Sequence, residues 1–212
     1  MADKVDFAFL LPGRNFSQYF LNSWTNTLLW LYENKYTFSY SSLYLSSLDM
    51  VRNNILSYPP SSPIFGQPPI NDPRPFGGEI EPNRVVFIDS DMVWDIEALE
   101  KLLITDEDVL VAPYRVSPYN DKTVIMANNH LYTAEDIKKL DSPIEVDMAG
   151  LGFTSCKFEV IQSMSYPWFY TTFSPEGING EDYNFYQNAK KLGYKVVMDP
   201  SIKVGHEKNL IV

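Results

Sequence analysis

Short apolar runs alternate with amphipathic helical stretches in the first quarter of the chain, and this alternation constrains the fold more than any other feature. An apolar run bounded by turn residues is typical of a buried strand, whereas apolar residues at three- and four-residue spacing are typical of a helix. A strand–helix–strand–helix order favours parallel strands with the helices packed on the sheet. The pattern predicts, in order, a strand at Val5–Leu11, a helix at Ser17–Tyr32, a strand at Tyr36–Tyr40, and a helix that carries Met50, Val51, Ile55 and Leu56 on one face and is capped by Ser46 or Ser47.

The next stretch, residues 59–82, is rich in proline. Proline fixes φ and has no backbone N–H, so its repetition argues against both a helix and an interior strand. We predict a long surface loop with Phe65 and Phe76 as candidate anchors. Loops of this length are functional or disordered, and the sequence leaves both readings open.

Regular patterns resume beyond the proline-rich stretch. They predict a strand at Val85–Ile88, a helix at Trp94–Leu103, a strand at Asp108–Ala112, a hairpin of Thr123–Met126 and His130–Thr133 that turns through Asn128-Asn129, a short helix from Thr133 to about Leu140, a helix at Gly180–Leu192 and a strand at Lys195–Met198. A chain of 212 residues suits one domain. We therefore predict a single α/β domain over residues 1–212, with a mixed, mostly parallel central sheet flanked by helices.

The formal net charge is −10, and no run of lysine or arginine offsets it. A nucleic-acid binder needs a basic surface, so this class is disfavoured. An acidic protein that binds a phosphate-bearing small molecule needs a local positive charge, for which a divalent cation is the obvious candidate. Cys156 is the single cysteine, which excludes an intrachain disulfide and a cysteine-based zinc site and favours a cytoplasmic location. The sequence shows no signal-peptide pattern and no apolar run of about 20 residues, so we expect no membrane span. We therefore expect the chain to be either a soluble form or an excised catalytic domain.

Two acids follow the apolar run Val85–Ile88 directly, in the motif Asp89-Ser90-Asp91. Ligands of α/β proteins bind at the carboxyl ends of the strands. Side chains two residues apart on an extended segment point to the same side, so both carboxylates can face one cation such as Mg²⁺ or Mn²⁺. A loop with capping acids is the alternative, and the position after a buried strand favours the metal site.

Two further motifs carry candidate functional groups. Glu181 and Asp182 open the predicted helix after Gly180, where a carboxylate can accept a hydroxyl proton or simply interact with the helix dipole. His206 follows the last predicted strand, and neutral imidazole is a good ligand for Mn²⁺, although a lone histidine is more often structural.

The four motifs stand in an order that resembles the GT-A family of nucleotide-sugar glycosyltransferases. Val85–Ile88 with Asp89-Ser90-Asp91 resembles the DxD motif of that family, Gly150-Leu151-Gly152-Phe153 its glycine-containing loop, Glu181-Asp182 its acidic motif at a helix start, and Gly205-His206 its C-terminal histidine. Leu11-Pro12-Gly13-Arg14 resembles the first nucleotide loop, so the resemblance covers nearly the whole chain. The compact size and the proline-rich insertion are also similar to the small glycosyltransferases that chlorella viruses encode.

The resemblance implies a nucleotide-binding half at residues 1–112 and an acceptor half at residues 113–212. It implies that Asp89, Asp91 and His206 ligate the metal and that Asp182, Glu181 and Asp147 have catalytic roles. The residues implied to bind the nucleotide or the donor are Pro12, Gly13, Arg14, Ser41, Arg52, Asn53, Asp89, Ser90, Asp91, Gly150 and Gly152. Ser41 stands near the end of the second strand, where many relatives have an acid that binds the uracil or the ribose. Trp168, Phe169 and Tyr170 are either core residues or an acceptor platform, with core packing favoured.

The implied reaction moves a hexose from a UDP-sugar, such as UDP-glucose, to a hydroxyl of a glycan or glycoprotein, with Mn²⁺ or Mg²⁺ as cofactor. Retention of configuration is slightly favoured over inversion. The viral resemblance implies a role in capsid glycosylation in the host cytoplasm. One alternative is a sugar-nucleotidyltransferase of the same fold, although the glycine-rich basic loop of that class is missing. The other is a non-catalytic module that binds a nucleotide-sugar or a carbohydrate.

Overall fold

The computed structural model describes residues 2–58, 74–117, 119–175 and 177–207. The strands are β1 (Asp3–Pro12), β2 (Phe38–Leu43), β3 (Ile80–Ile88), β4 (Met92–Trp94), β5 (Val109–Val111), β6 (Lys122–Ala127), β7 (His130–Thr133), β8 (Ile144–Glu145), β9 (Phe153–Lys157), β10 (Thr172–Ser174), β11 (Gly177–Asn179), β12 (Val196–Met198) and β13 (Val204–His206). The helices are α1 (Gln18–Glu33), α2 (Leu48–Ser57), α3 (Ile96–Leu103), α4 (Ala134–Ile137), α5 (Phe158–Ser163) and α6 (Glu181–Lys191). Within these ranges, no helix is long and apolar enough to cross a bilayer.

Seven of the strands form one mixed sheet in the order β2-β1-β3-β9-β5-β12-β8. β1, β2 and β3 are parallel, β9 runs antiparallel to β3 and β5, β12 is parallel to β5, and β8 is antiparallel to β12. Five of the seven strands therefore run in one direction, and β9 and β8 run in the other. The predicted α/β class, with a mostly parallel central sheet flanked by helices, is confirmed.

Helices cover both faces of the sheet, which explains why β3 ends in a continuous apolar run. Val85 and Phe87 lie in the core cluster that contains residues of α2, α5 and α6, whereas Val86 and Ile88 lie in the cluster that contains residues of α1 and α3. Alternate side chains of a strand point to opposite faces, so a strand covered on both faces buries every residue. The apolar run thus places the two acids that follow it at the buried carboxyl end of β3.

One helix begins later than the sequence predicts. The helix predicted at Trp94–Leu103 begins only at Ile96, because Asp95 is its N-cap and accepts a hydrogen bond from Ala98 N at 2.8 Å. The preceding residues instead form β4, which pairs antiparallel with β13. The predicted turn through Asn128-Asn129 is confirmed, with both residues at positive φ.

The predicted loop over 59–82 is too long at its C-terminal end, and residues 59–73 lie outside the described part of the chain. Pro75–Gly78 form a 3₁₀ turn that buries Phe76, and β3 already begins at Ile80. Pro82 pairs with Val5 on the β1 side, whereas the pairing of β3 with β9 starts only at Arg84. At Pro82, the side of β3 that faces β9 is therefore unpaired, as in an edge strand, and proline is tolerated there.

Hydrogen bonds from α1 hold β4 in place. Ser23 Oγ donates to Trp94 O at 2.7 Å and accepts from Trp94 N at 3.1 Å, and the indole N–H of Trp94 donates to Thr27 Oγ1 at 2.9 Å. Both hydroxyl residues are buried. Since β4 follows Asp91 directly and pairs with the strand that ends in His206, these bonds support the edge of the sheet where the candidate site lies.

We expect Thr27→Val to lower the free energy of unfolding by about 1–3 kcal/mol, because the buried indole N–H of Trp94 loses its acceptor while the side-chain shape is kept. Urea denaturation measures the change. Thr25→Val is the matched control, since Thr25 is an exposed residue of the same helix and the substitution has the same effect on helix propensity there. Equal unfolding midpoints for the two variants would show that the bond to Trp94 does not anchor β4.

Candidate active site

A cleft of about 650 Å³ opens at the carboxyl ends of β1 and β3. Its lining contains six of the residues predicted to bind the nucleotide, namely Pro12, Gly13, Arg14, Asp89, Ser90 and Asp91, together with Asn15, Phe16, Ser17, Tyr44, Leu45, Ser46, Leu48, Val51 and Glu207. Gly13 lets the loop after β1 touch the loop after β3, since a Cβ at Gly13 would lie 2.3 Å from Ser90 Cβ. The floor of the cleft therefore consists of two loops in direct contact.

Arg52 joins two of the predicted motifs in an ionic cluster. Its side chain is 2% exposed, and its Nη2 lies 2.9 Å from Asp89 Oδ1 and 3.2 Å from Asp89 Oδ2. Its Nη1 donates to Glu181 Oε1 at the start of α6. Burial opposes the charge on the guanidinium, but the two carboxylates outweigh it and raise the pKa of Arg52. Positions separated by 37 and 129 residues are thus connected through one side chain.

Glu181 and Asp182 are neighbours with different electrostatic partners. Burial raises the pKa of both carboxyl groups. Glu181 forms an ion pair with Arg52, whereas Asp182 accepts a hydrogen bond from the Tyr183 backbone N–H at 2.8 Å. Among the residues that the structure describes, no cationic side chain pairs directly with Asp182. Asp182 is therefore the acid that is not held by a direct ion pair with Arg52, and the one suited to accept a proton from a hydroxyl group.

Asp91 and His206 face each other across the pair of strands β4 and β13. His206 Nε2 lies 3.0 Å from Asp91 Oδ2, and His206 Nδ1 lies 2.6 Å from the carbonyl oxygen of Arg115. A carbonyl oxygen only accepts, so Nδ1 carries the proton and Nε2 of the neutral ring is an acceptor. Two acceptors at 3.0 Å repel unless a proton or a cation lies between them.

This pair fits a divalent cation that is completed by a ligand. Mg²⁺ and related ions are held by one or two protein groups together with substrate phosphates and water, rather than by a full protein cage. A carboxylate with a neutral imidazole whose second nitrogen donates to a carbonyl is a suitable donor set. Over the described ranges, no group of three or more His, Cys, Asp or Glu residues is arranged to hold a metal, so any such ion takes further ligands from the substrate or from water.

The predicted third ligand, Asp89, is differently placed. Both of its carboxylate oxygens accept from Arg52, and its side chain is 25% exposed compared with 40% for Asp91. The structure therefore separates the two acids of the motif, with one in the ionic cluster and one beside the histidine.

Tyr114 belongs to the site although its sequence carries no motif. It follows β5 at the same edge of the sheet, its hydroxyl accepts from Gly152 N at 3.1 Å, and its ring contacts the His206 ring edge-on at 5.0 Å. Burial is the main cause that raises its pKa, and the charge of Asp89 adds to it. The one available signal was its position just beyond the strand predicted at Asp108–Ala112.

The glycines predicted on the sugar side leave room for Tyr114. A Cβ at Gly150 would lie 2.0 Å from the Tyr114 hydroxyl, and a Cβ at Gly152 would lie 2.8 Å from the same atom and 3.2 Å from Asp89 Oδ2. The glycine-containing loop can therefore approach Tyr114 and Asp89 only without side chains at these positions.

Three other predicted site residues lie outside the cleft. Ser41 is buried in β2, where its hydroxyl has no hydrogen-bond partner among the residues that the structure describes. Asn53 is buried and binds the backbone of Trp168 and Phe169, with Nδ2 at 2.6 Å from Phe169 O and Oδ1 at 3.1 Å from Trp168 N. Asp147 pairs with Lys190 and accepts from Asn128 N at 2.8 Å, and the Lys190 hydrogen bond lowers its pKa.

The aromatic segment 168–170 is largely core. Trp168 and Phe169 are each 1% exposed, and the Phe169 ring stacks on Phe185 at 5.2 Å. The favoured prediction of core packing is confirmed for these two residues, and they form no platform for an acceptor.

Comparison with solved structures identifies the fold. Over 98% of this chain and 96% of the other, it is similar to A197 from STIV, with a TM-score of 0.51 and 15% identity. It is also similar to the catalytic domain of Drosophila β1,4-galactosyltransferase 7 in complex with xylobiose, with a TM-score of 0.51 and 12% identity over 98% of this chain and 72% of that one. A mutant of the same enzyme, in complex with manganese, UDP-Gal and xylobiose, matches with a TM-score of 0.50, 12% identity and the same shares of both chains. No protein-family model and no curated protein matches the chain. At these identities the likeness shows the fold, which is the GT-A fold.

We expect Arg52→Met to lower the free energy of unfolding by about 3–5 kcal/mol at neutral pH, because it leaves two partly buried carboxylates without their cation. Loss of Arg52 removes a charge that lowers the pKa of Glu181. The pKa of Glu181 in the folded variant then rises further, so the deficit should shrink as the pH falls and that carboxyl is protonated. Urea denaturation between neutral and acidic pH measures both effects.

Arg115→Met is the matched control, since Arg115 forms an exposed ion pair with Asp121 at 2.6 Å. The same substitution there should cost about 0–1 kcal/mol. A similar small loss at Arg52, without dependence on pH, would contradict the role of Arg52 as the charge that stabilises the cluster.

Proposed function

We propose that the chain is a divalent-metal-dependent glycosyltransferase that moves a hexose from a nucleotide-diphosphate sugar, preferably a UDP-sugar, to a hydroxyl of a glycan or glycoprotein. The observation that carries the proposal is the Arg52 cluster, which brings Asp89 of the strand-edge motif together with Glu181 at the start of α6. The GT-A fold and the galactosyltransferase complexes with UDP-Gal and xylobiose support the same reaction class.

The cleft suits a nucleotide. Its volume of about 650 Å³ lies within the range of small-molecule sites. Arg14 offers a cation at its wall and stacks over the Tyr44 ring at 5.6 Å, and Tyr44 is exposed and can present its ring to a base. Pro12 and Gly13 border the same space, in agreement with their predicted role beside the nucleoside.

Asp91 and His206 would hold Mn²⁺ or Mg²⁺ at the mouth of this cleft. When bound, such an ion would supply the positive charge that offsets the repulsion between a diphosphate and the carboxylates that line the cleft. It would also stabilise the departing nucleoside diphosphate. In this proposal Asp89 remains ion-paired with Arg52 and would contact the ribose rather than the ion. Ser90 and the loop of Gly150 and Gly152 would border the donor.

The two acids at the start of α6 have different roles in the proposed acceptor chemistry. Glu181 is fixed by Arg52 and would bind a sugar hydroxyl, while Asp182, with its raised pKa, would accept the proton of the attacking hydroxyl in an inverting reaction. Retention needs no such base, since the departing phosphate can take the proton, and it stays a prediction. Asp147 also stays a predicted sugar-side residue, although its partners Lys190 and Asn128 lie apart from the Arg52 cluster.

A sugar-nucleotidyltransferase and a non-catalytic binding module are the competing proposals. The first lacks the glycine-rich basic loop at the end of β1, where only Pro12-Gly13-Arg14 stands. A binding module would not need two adjacent carboxyl groups with raised pKa values, such as those of Glu181 and Asp182. The resemblance to chlorella-virus enzymes, and with it a role in capsid glycosylation, stays a prediction.

Donor turnover over a panel of UDP- and GDP-sugars, with Mn²⁺, Mg²⁺ or EDTA, tests the proposed reaction. We expect release of UDP from at least one UDP-sugar with Mn²⁺. This turnover should be lost in EDTA, because no cation then offsets the repulsion between the diphosphate and the carboxylates that line the cleft. Turnover that persists in EDTA would contradict the metal-dependent mechanism. UDP binding without turnover on any donor would favour the binding module.

Asp182→Asn should lower the transfer rate by about 10²–10⁴-fold if Asp182 is the base. The same variant should be more stable than the wild type at neutral pH. A carboxyl whose pKa is raised by folding loses stability as the pH rises through that raised pKa, and the amide has no such charge. Thermal unfolding against pH and the product anomer, determined by NMR, provide the readouts.

Glu181→Gln is the matched control at the adjacent acid. It should destabilise the protein, because Arg52 loses a partner. An unchanged transfer rate in Asp182→Asn, together with a retained anomer, would remove Asp182 from the base role.

A further inference from the structure

A short hairpin next to the acids of α6 exposes two apolar side chains. β10 and β11 pair antiparallel, with Phe173 directly opposite Ile178. Directly opposed residues point to the same face of a ribbon, so the two side chains form one apolar surface. Phe173 is 77% exposed and Ile178 is 70% exposed, so neither side chain contributes much to the core.

Asn184 holds the base of this hairpin against the start of α6. Its side chain is buried, and its Nδ2 lies 2.8 Å from Tyr170 O before the hairpin, 3.1 Å from Asn179 O at its end and 3.1 Å from Gly180 O at the helix start. Ile178 precedes Glu181 by three residues, so their Cα atoms are at most about 10 Å apart. The apolar surface therefore lies at a fixed place beside Glu181 and Asp182.

We propose that Phe173 and Ile178 form the acceptor subsite and bind the apolar C–H face of a pyranose ring, so that a hydroxyl of that ring reaches Asp182. This inference rests on the proposed function and assigns the acceptor side of it. A pyranose has an apolar face and a hydroxyl-bearing edge. The hairpin offers an apolar surface with an aromatic ring, and the helix start that follows it after Gly180 offers two carboxylates.

The small size of the surface favours a sugar over a protein partner. One phenylalanine and one isoleucine expose on the order of a few hundred Å², whereas a stable protein interface buries about 800 Å² on each partner. A single sugar ring covers an area of the former size.

The test is saturation-transfer NMR on the full chain with UDP and Mn²⁺. The probes are xylobiose and the methyl β-glycosides of glucose, galactose and xylose, and calorimetry with UDP and Mn²⁺ measures the donor side separately. We expect saturation of ring C–H protons in at least one probe. Phe173→Ser should weaken binding of that probe about tenfold, and Ile178→Thr should weaken it to a smaller degree.

Tyr32→Ser is the matched control, since Tyr32 is 82% exposed near the end of α1. It should bind the probe as the wild type does. If UDP binds but no probe is saturated, or if Phe173→Ser binds the probe like the wild type, the acceptor subsite is overturned and the proposed function stands. If the wild type does not bind UDP with Mn²⁺, the proposed function fails. Phe173-dependent binding of a probe would still support the sugar subsite in that case.

Discussion

The buried guanidinium of Arg52 is the interaction on which the organisation of the site depends. An ion removed from water costs several kcal/mol, which only close opposite charges and hydrogen bonds offset. Arg52 meets this requirement with Asp89 after β3 and with Glu181 at the start of α6. The helix α2, the motif at the edge of the sheet and the acidic helix start are therefore held in one arrangement, because separating any of them would leave a buried charge unpaired.

This arrangement gives two acids of one motif different surroundings. Asp89 lies beside a permanent cation, whereas Asp91 lies beside a histidine whose other nitrogen donates to a carbonyl oxygen. A divalent ion would gain little from a carboxylate already neutralised by arginine and much from the second pair. The same division recurs at the start of α6, where Glu181 forms an ion pair with Arg52 and Asp182 accepts a hydrogen bond from the Tyr183 backbone N–H. In the proposed reaction, the acid of each motif that binds Arg52 positions groups, and the other acid, Asp91 or Asp182, does the chemistry.

The main fold and the position of the Asp89-Ser90-Asp91 motif could be predicted because both rest on local patterns. An apolar run followed by two acids identifies a buried strand and its carboxyl edge, and the structure places Asp89 and Asp91 there. Partners set by long-range packing could not be read in the same way. The position of Asn53 in α2 could not show that it binds the backbone of Trp168 and Phe169. Neither could Tyr114 be linked to Gly152 before the strands had an order. Pro82 was misjudged because its tolerance depends on where β9 ends.

Pulsed EPR of Mn²⁺ bound to the chain with UDP tests the central claim most directly, which is that Asp91 and His206 hold the cation against the diphosphate. The account predicts a nitrogen hyperfine coupling from an imidazole together with a phosphorus coupling from the diphosphate. The nitrogen coupling should disappear in His206→Ala, and Mn²⁺-dependent UDP binding should be lost in Asp91→Ala, while both variants keep their fold. A phosphorus coupling without the nitrogen coupling in the wild type, or unchanged UDP binding in Asp91→Ala, would contradict it.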